Sequence, residues 1–448
     1  MHRIRFGLAI LAVSALGSAA AFAAAPKTIR VSVKQNGNEV AGAAADYPAI
    51  SASGRFVAFE TFAKLRPADS GASDLDIYVW DRTTGKLDLV SVRSDGDDGV
   101  NFEGERADIS ATGRWVSFAS DDPFVAGDAN GKHDIYRYDR RNDKITLVSL
   151  TDTDSQLSGV DDEALISGIS DNGNVVAWES LGAFVGDDTN NEEDIFVRRI
   201  NQGTTQRVSI DNADNEIADG ATAGRESQLA LSGGGGRIAW QTTGIASPEG
   251  DFGFAVDSDV FVRDLDHNTT KRVSLGSNGL EADDSNNVNS GSPSITRDGR
   301  LIAFTSEGSF IDGDTNTAPD IYLHNLIDGT TRRVSARSDG DEVASFPSIG
   351  NSLPSISAGG RYISWETSGD YGGLADTGTF FRDIYRHDRK TKRTKLVSVT
   401  SDGSHPDQEH QLSAISDDGR WVAFSSMGEF TAGDDPTDFD VFLRGPIG

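Results

Sequence analysis

Ten residues recur seven times along this chain, and the recurrence restricts the fold more than any other property. "ISASGRFVAF" at 50–59 returns as "ISATGRWVSF" at 109–118, "ISDNGNVVAW" at 169–178, "LSGGGGRIAW" at 231–240, "ITRDGRLIAF" at 295–304, "ISAGGRYISW" at 356–365 and "ISDDGRWVAF" at 415–424. In each copy a Ser or Thr stands eight residues before a Phe or Trp, and successive copies begin 59 to 64 residues apart. Insertions fall only between copies. A repeat of this length marks a ring or array of like units, each too small to bury its own apolar face.

The Gly-rich centre of each copy, flanked by apolar residues, predicts a hairpin of two strands, A and B. Asp-Ile-Tyr or a close variant then opens a third strand, C, at Asp76, Asp134, Asp194, Asp259, Asp320, Asp383 and Asp440. A fourth, D, carries Val-Ser, as in "KLDLVSV", "TQRVSI" and "TKLVSV". Four antiparallel strands repeated seven times, with no helical period, predict an all-β, seven-bladed β-propeller over 28–448. The seventh repeat stops at "DVFLRGPIG" without a D strand, whereas "TIRVSV" at 28–33 is a D strand with no blade before it. The N-terminal strand is therefore expected to pair with the strand opening at Asp440, closing the ring and covering an edge that would otherwise template aggregation.

Residues 1–25 read as a signal peptide: Arg3 and Arg5 precede a short Ala-rich apolar run, and small residues give A-x-A at Ala21 to Ala23. The mature start is expected just upstream of Thr28. No later segment is comparably apolar, so a periplasmic or secreted monomer without membrane insertion is expected. There is no cysteine, so no disulfide contributes. A formal net charge of −29 repels phosphate and argues against nucleic acid.

The antiparallel order puts the A–B and C–D turns on one face and the B–C and D–A loops on the other. The turns carry bases, as in "DRRNDK" and "HDRKTKRTK"; the loops carry acids, as in "SDGDDGVNFEGERAD" and "GDDTNNEEDIF". A negative loop face attracts cations and basic partners. Three B–C loops share the spacing D-x-N-x-x-x-D: Asp128, Asn130 and Asp134; Asp188, Asn190 and Asp194; Asp314, Asn316 and Asp320. The seventh repeat keeps Asp434 and Asp440, with Pro436 between them. Oxygen donors at alternate loop residues suit Ca²⁺, with backbone, water or a neighbouring D–A loop completing the shell. The alternative is that the strand-opening Asp bonds turn backbone and needs no metal.

His405 and His410, in "SDGSHPDQEHQL", stand on the acidic side, where His with a carboxylate could hold a transition metal; the competing expectation is two solvated loop residues. The aromatic set Phe59, Phe118, Trp178, Trp240, Phe304, Trp365 and Phe424 recurs at one register and is expected to be core. No G-x-S-x-G elbow and no phosphate loop occurs.

Repeats such as "ISDDGRWVAFSS" followed by "DVF" resemble the WD40-like (PD40) propeller repeats of the TolB family of exported bacterial proteins, over 28–448. The resemblance implies an exported scaffold that binds another protein on its propeller. The sequence reading is thus a non-enzymatic scaffold whose acidic loop face, with or without Ca²⁺, engages a basic protein or cell-envelope component. The alternative is a secreted polysaccharide lyase or glycosidase with its site at the channel mouth. A third reading, the propeller of a peptidase resembling the prolyl oligopeptidase arrangement, lacks a hydrolase domain in this chain.

Overall fold

The computed structural model describes residues 25–448 apart from 39, 41–43, 68–74, 94–104, 160–163, 218–228, 244–257, 283–287, 317, 342, 344–349, 373–380 and 432–436. The expected signal peptide therefore lies outside the described residues except for Ala25. Each repeat begins with a turn built by its Ser and Gly. In the first, Ser51 N donates to Phe56 O, Gly54 N donates to Ser51 O, and Phe56 N donates to Ser51 Oγ at 3.0 Å. Gly54 sits at φ +65°, where a side chain would be strained. The same hydroxyl accepts a backbone N–H at Ser110, Ser170, Ser232, Thr296, Ser357 and Ser416.

These turns join the first two strands of seven four-stranded antiparallel sheets, and the molecule is a seven-bladed β-propeller. Blade one runs Ala45–Ile50 (A), Phe56–Thr61 (B), Asp76–Asp81 (C) and Lys86–Leu89 (D). Blade seven is His410–Ile415, Val422–Ser426 and Asp440–Gly445, completed by the N-terminal strand Lys27–Arg30, with Lys27 opposite Gly445 and Arg30 opposite Phe442. The ring closes as the orphan N-terminal strand and the incomplete last repeat require. No helix occurs among the described residues.

The recurring aromatic of strand B is at most 1 % exposed in every blade. It faces an aromatic of strand C, as Phe59 faces Tyr78 and Trp365 faces Tyr385, with ring planes 21° and 26° apart. Between blades two contacts repeat. The turn glycine of one blade lies against the residue at the start of strand B in the blade before it: Gly113 against Phe56, Gly173 against Trp115, Gly419 against Tyr362 and, across the closure, Gly54 against Trp421, one residue ahead of the strand. A threonine of strand D donates to a carbonyl just past strand D of the preceding blade: Thr205 to Leu150 O, Thr270 to Ile210 O, Thr394 to Ala336 O and Thr28 to Val399 O.

The A strands surround a central cavity of about 300 Å³ lined by residues of all seven blades, including Tyr47, Asp108, Gly168, Leu231, Ser294, Ser355 and Leu412. Bulges interrupt their pairing, and Tyr47, Arg106, Ser292, Leu353 and Leu412 take φ of +49° to +53°. A strand-B side chain of the preceding blade secures three of them. Arg106 N donates to Glu60 Oε2 at 2.7 Å, Leu412 N to Glu366 Oε2 at 2.9 Å, and Ser292 N to Gln241 Oε1 at 3.3 Å.

Candidate functional site: acid pockets at the loop-face end of strand C

The Asp that opens strand C and the Ser of Val-Ser lie 15 residues apart in six blades, and the structure joins them. Ser91 Oγ donates to Asp76 Oδ1, Ser274 Oγ to Asp259 Oδ1 and Ser398 Oγ to Asp383 Oδ1, at 2.7, 2.7 and 2.6 Å. Ser149, Ser209 and Ser335 bond Asp134, Asp194 and Asp320 in the same way. In blade seven Ser32, from the far end of the chain, bonds Asp440. The same hydroxyl accepts the N–H of the residue after the Asp in all seven, as Ile77 N to Ser91 Oγ at 3.0 Å. The hydroxyl two residues past strand D, and not the turn backbone that was one of the two expectations, is thus the recurring partner of this Asp.

The residues of D-x-N-x-x-x-D are brought together. In blade two the Nε2 of Gln156 donates to Asp128 Oδ1 at 2.8 Å and to Asp134 Oδ2 at 2.7 Å, and Tyr136 donates its hydroxyl proton to Asp128. In blade three Arg207 Nη1 lies 3.4 Å from Asp188, 3.4 Å from Asp194 and 2.9 Å from Glu216. One oxygen from each of these three carboxylates lies within 4.8 Å of the others, and Asp188 Oδ2 is buried without a hydrogen-bond partner. In blade five Arg333 Nη1 is 3.6 Å from Asp314 and 3.4 Å from Asp320. In blades three and five a guanidinium, and in blade two an amide, thus stands between the acids where Ca²⁺ was one of the two expectations. The middle asparagines do separate work. Asn130, Asn190 and Asn316 each accept a backbone N–H two residues on and donate to Leu157 O, Ile217 O and Val343 O respectively, tying each B–C loop to its D–A loop. Asp434 lies outside the described residues; Asp440 pairs with Arg30 at 3.3 Å.

Burial beside like charges raises two of these acids. Desolvation, opposed by Ser149 and reinforced by Asp128, lifts Asp134 to about 6. Desolvation and the charge of Asp194, opposed by Arg207, lift Asp188 to about 7.

Two positions around the serine tell the pockets apart. Two residues before it stand Arg30, Leu89, Leu147, Arg207, Arg272, Arg333 and Leu396; seven after it stand Glu39, Asp98, Gln156, Glu216, Glu281, Glu342 and His405. All four blades with Arg carry Glu; the three with Leu carry Asp, Gln or His. Arg272 shows the pairing in blade four, bonding Asp259 at 2.5 Å and also Glu281. Four pockets therefore hold an internal cation, and Glu39, Asp98 and Glu342 lie outside the described residues. Our reading of the sequence missed this pattern, although the constant spacing from Val-Ser carries it.

Blade six is one of the three with Leu. His405 Nε2 lies 2.7 Å from Asp383 Oδ1, and His410 Nε2 lies 3.6 Å from the same oxygen. Neither is the solvated loop residue that was one of the two expectations: the His405 side chain is 12 % exposed, and His410 is fully buried at the start of strand A of blade seven. Desolvation lowers His410 to about 4, so it is neutral at pH 7.

On the opposite face several bases are paired or stacked. Arg55, Arg114, Arg237 and Arg361 pair with Asp81, Asp139, Asp264 and Asp388 at 2.6 to 2.8 Å. Arg82 and Arg140 stack on Trp421 and Phe56 of the preceding blade. The loop face keeps exposed acids among the described residues, including Asp187, Glu192, Asp312, Asp370 and Glu429. It also holds a cleft of about 700 Å³ lined by Phe381, Met427 and Phe439 beside Arg382 and Glu409, which pair at 2.8 Å.

The chain matches no family model and no curated protein. Solved structures share its fold. The β-propeller domain of the Trilobed protease from Pyrococcus furiosus superposes with a TM-score of 0.52 at 10% identity, covering 90% of this chain and 95% of that one. A structure from a study of two prolyl endopeptidases gives 0.52 at 10% identity, covering 91% of this chain and 50% of that one. A candidate TolB from Agrobacterium tumefaciens gives 0.41 at 14% identity, covering 83% and 97%. At these identities the likeness is one of fold: this chain is similar to other β-propellers.

Proposed function

We propose that the protein is an exported scaffold that receives a basic protein or cell-envelope partner on its loop face. The observation that carries this reading is the division of charge: Arg55, Arg114, Arg237 and Arg361 of the turn face are taken up by ion pairs and Arg82 by ring stacking, whereas Asp187, Glu192, Asp312, Asp370 and Glu429 stand exposed on the loops of a chain whose net charge is −29. A potential of one sign over one face raises association rates with partners of the opposite sign. The cleft at Phe381, Met427 and Phe439 adds apolar surface for an anchoring side chain. The test is titration with a polylysine peptide at several salt concentrations. Asp187→Asn, Glu192→Gln and Asp312→Asn together are expected to weaken binding and flatten its salt dependence, whereas Asp266→Asn with Asp328→Asn on the turn face leaves both unchanged. Equal effects from the two sets would overturn the reading.

Ca²⁺ is proposed as a stabiliser of this face. Asp128, Asp134 and the amide oxygen of a rotated Gln156 offer one donor set; Asp188, Asp194 and Glu216 offer another if Arg207 swings aside. At about 100 times its dissociation constant one bound ion adds roughly 2.7 kcal/mol. In fixed high salt the melting temperature should then rise saturably with Ca²⁺, and Asp128→Asn or Asp188→Asn should reduce the rise. No response to Ca²⁺ would mean that Gln156, Arg207 and Arg333 already satisfy the acids.

A further inference from the structure

We propose that Asp383, His405 and His410 form a binding site for a divalent transition metal of the Zn²⁺ class, placed across the seam between blades six and seven. Asp383 opens strand C of blade six, and His405 lies in the D–A loop that leaves that blade. His410 begins strand A of blade seven. One donor atom from each lies within 4.8 Å of the others. Ligands at about 2.0–2.2 Å around a tetrahedral ion stand roughly 3.4 Å apart, and His410 Nε2 already lies 3.6 Å from Asp383 Oδ1. His405 Nε2, now 2.7 Å from that oxygen, needs only to draw back by about an ångström or less to share an ion with it.

Three further features fit a metal. Two imidazoles and a carboxylate select Zn²⁺, Co²⁺ or Ni²⁺ over Ca²⁺, which prefers an all-oxygen shell. Metal on His410 Nε2 leaves the remaining ring proton on Nδ1, and Ser426 Oγ stands 2.6 Å away to accept it. That is the outer hydrogen bond that ligating histidines characteristically make. The carbonyl of Pro406, 3.1 Å from Nε2, accepts the Nε2 proton in the metal-free state and is released when metal displaces that proton. Finally, strand D of this blade carries Leu396 where four others carry Arg, so no guanidinium from that position competes for the Asp. With three protein donors, the fourth position is left to water. The ion would clamp blade six to the blade that contains both ends of the ring.

The test uses the mature chain stripped with a chelator and titrated with Zn²⁺ for melting temperature and with Co²⁺ for visible absorption. The expected result is one equivalent bound, a saturable rise in melting temperature, and the intense absorption of tetrahedral Co²⁺. His405→Gln places at this position the residue that blade two carries, so it should fold with an unchanged metal-free melting temperature. It should bind either metal more than about a hundredfold more weakly, exceeding the loss usual for an outer-shell change. His410→Asn provides a second variant with the same expected loss of metal binding, because Asn351 holds the corresponding place at the preceding seam and donates to Asp320 Oδ1 at 3.0 Å. A parent chain that ignores both metals overturns the site. So does a His405→Gln variant that binds Co²⁺ with the parent's stoichiometry and spectrum, which would assign the binding to surface acids.

Discussion

The serine that follows strand D completes the strand-opening aspartate of its own blade, and both groups are buried. In blade three Asp194 is 0 % and Ser209 0 % exposed, and the hydroxyl serves the carboxylate and Ile195 N at once. Ser209→Ala leaves a buried carboxylate and a buried N–H each short of a partner, and should lower stability by about 1–3 kcal/mol in urea titrations. A loss no larger than that of an exposed Ser→Ala change would deny the clasp its role. Asp188 supplies a pH dependence. Its folded value of about 7 lies above the unfolded 3.8, so the folded state holds the proton more tightly. Stability therefore falls as pH rises between these values, and the cost of ionisation is fully present above pH 7. Glu216 and Asp264, held down to about 2, act in the opposite sense: their contribution is full above the unfolded carboxylate values and is lost as pH falls below them. The urea midpoint is thus expected to peak in mildly acid solution, and Asp188→Asn should reduce its decline towards pH 8. The aspartate and serine were each legible as markers in the sequence. Their contact was not, because it joins strands through hydroxyl geometry that no periodicity in one strand reports. His410 was misjudged for a related reason: its burial comes from the neighbouring Phe424 and Phe430 rings, not from its own acidic surroundings in sequence.

At the scale of the element, the A–B turn does two jobs with one residue. Its glycine supplies the positive φ that reverses the chain, and the missing Cβ leaves room for a ring of the preceding blade. A Cβ on Gly54 would stand 2.5 Å from Trp421 Cγ, whereas Gly131, at the same φ of +65°, has open space around it. The pair separates the two effects. Gly131→Ala should cost only the left-handed backbone, about 1–2 kcal/mol, and Gly54→Ala should cost clearly more in calorimetric melting because Trp421 must move as well. Equal losses would show that the seam yields without resistance. Hairpins and strand order were readable because Ser, Gly and the aromatic keep a fixed spacing within each copy. The inward bulges at Arg106 and Leu412 were not readable: side chains in their φ are held there by Glu60 and Glu366 of another blade, a long-range cause without a local signature.

For the whole molecule, closure depends on a strand of four residues. Thr28 fastens it to Val399 O at 2.5 Å, and Arg30 and Ser32 both reach Asp440. Removing residues 25–33 should lower the melting temperature by several degrees and produce concentration-dependent oligomers in light scattering, since strand C of blade seven would then present an unpaired edge. A truncated chain that stays monomeric and melts like the parent would contradict this. The ring was legible from counting: a D strand without a blade at one end and a blade without a D strand at the other leave one way to balance. Which pockets hold their own cation was written in the same repeats, but as a correlation between positions nine residues apart, Arg207 with Glu216 and Arg272 with Glu281, that has meaning only once the serine between them is known to face the acid. Blade seven, which contains the termini, uses at its seams the same glycine–ring contact and the same threonine latch as the other blades. Neither contact marks it as the place where a chain must start. Joining Gly448 to Ala25 through a short linker and reopening the chain in the C–D turn of blade one, between Asp81 and Lys86, would give a circular permutant with every one of these contacts intact: the point at which the chain enters the ring is arbitrary, and only the number of blades is not.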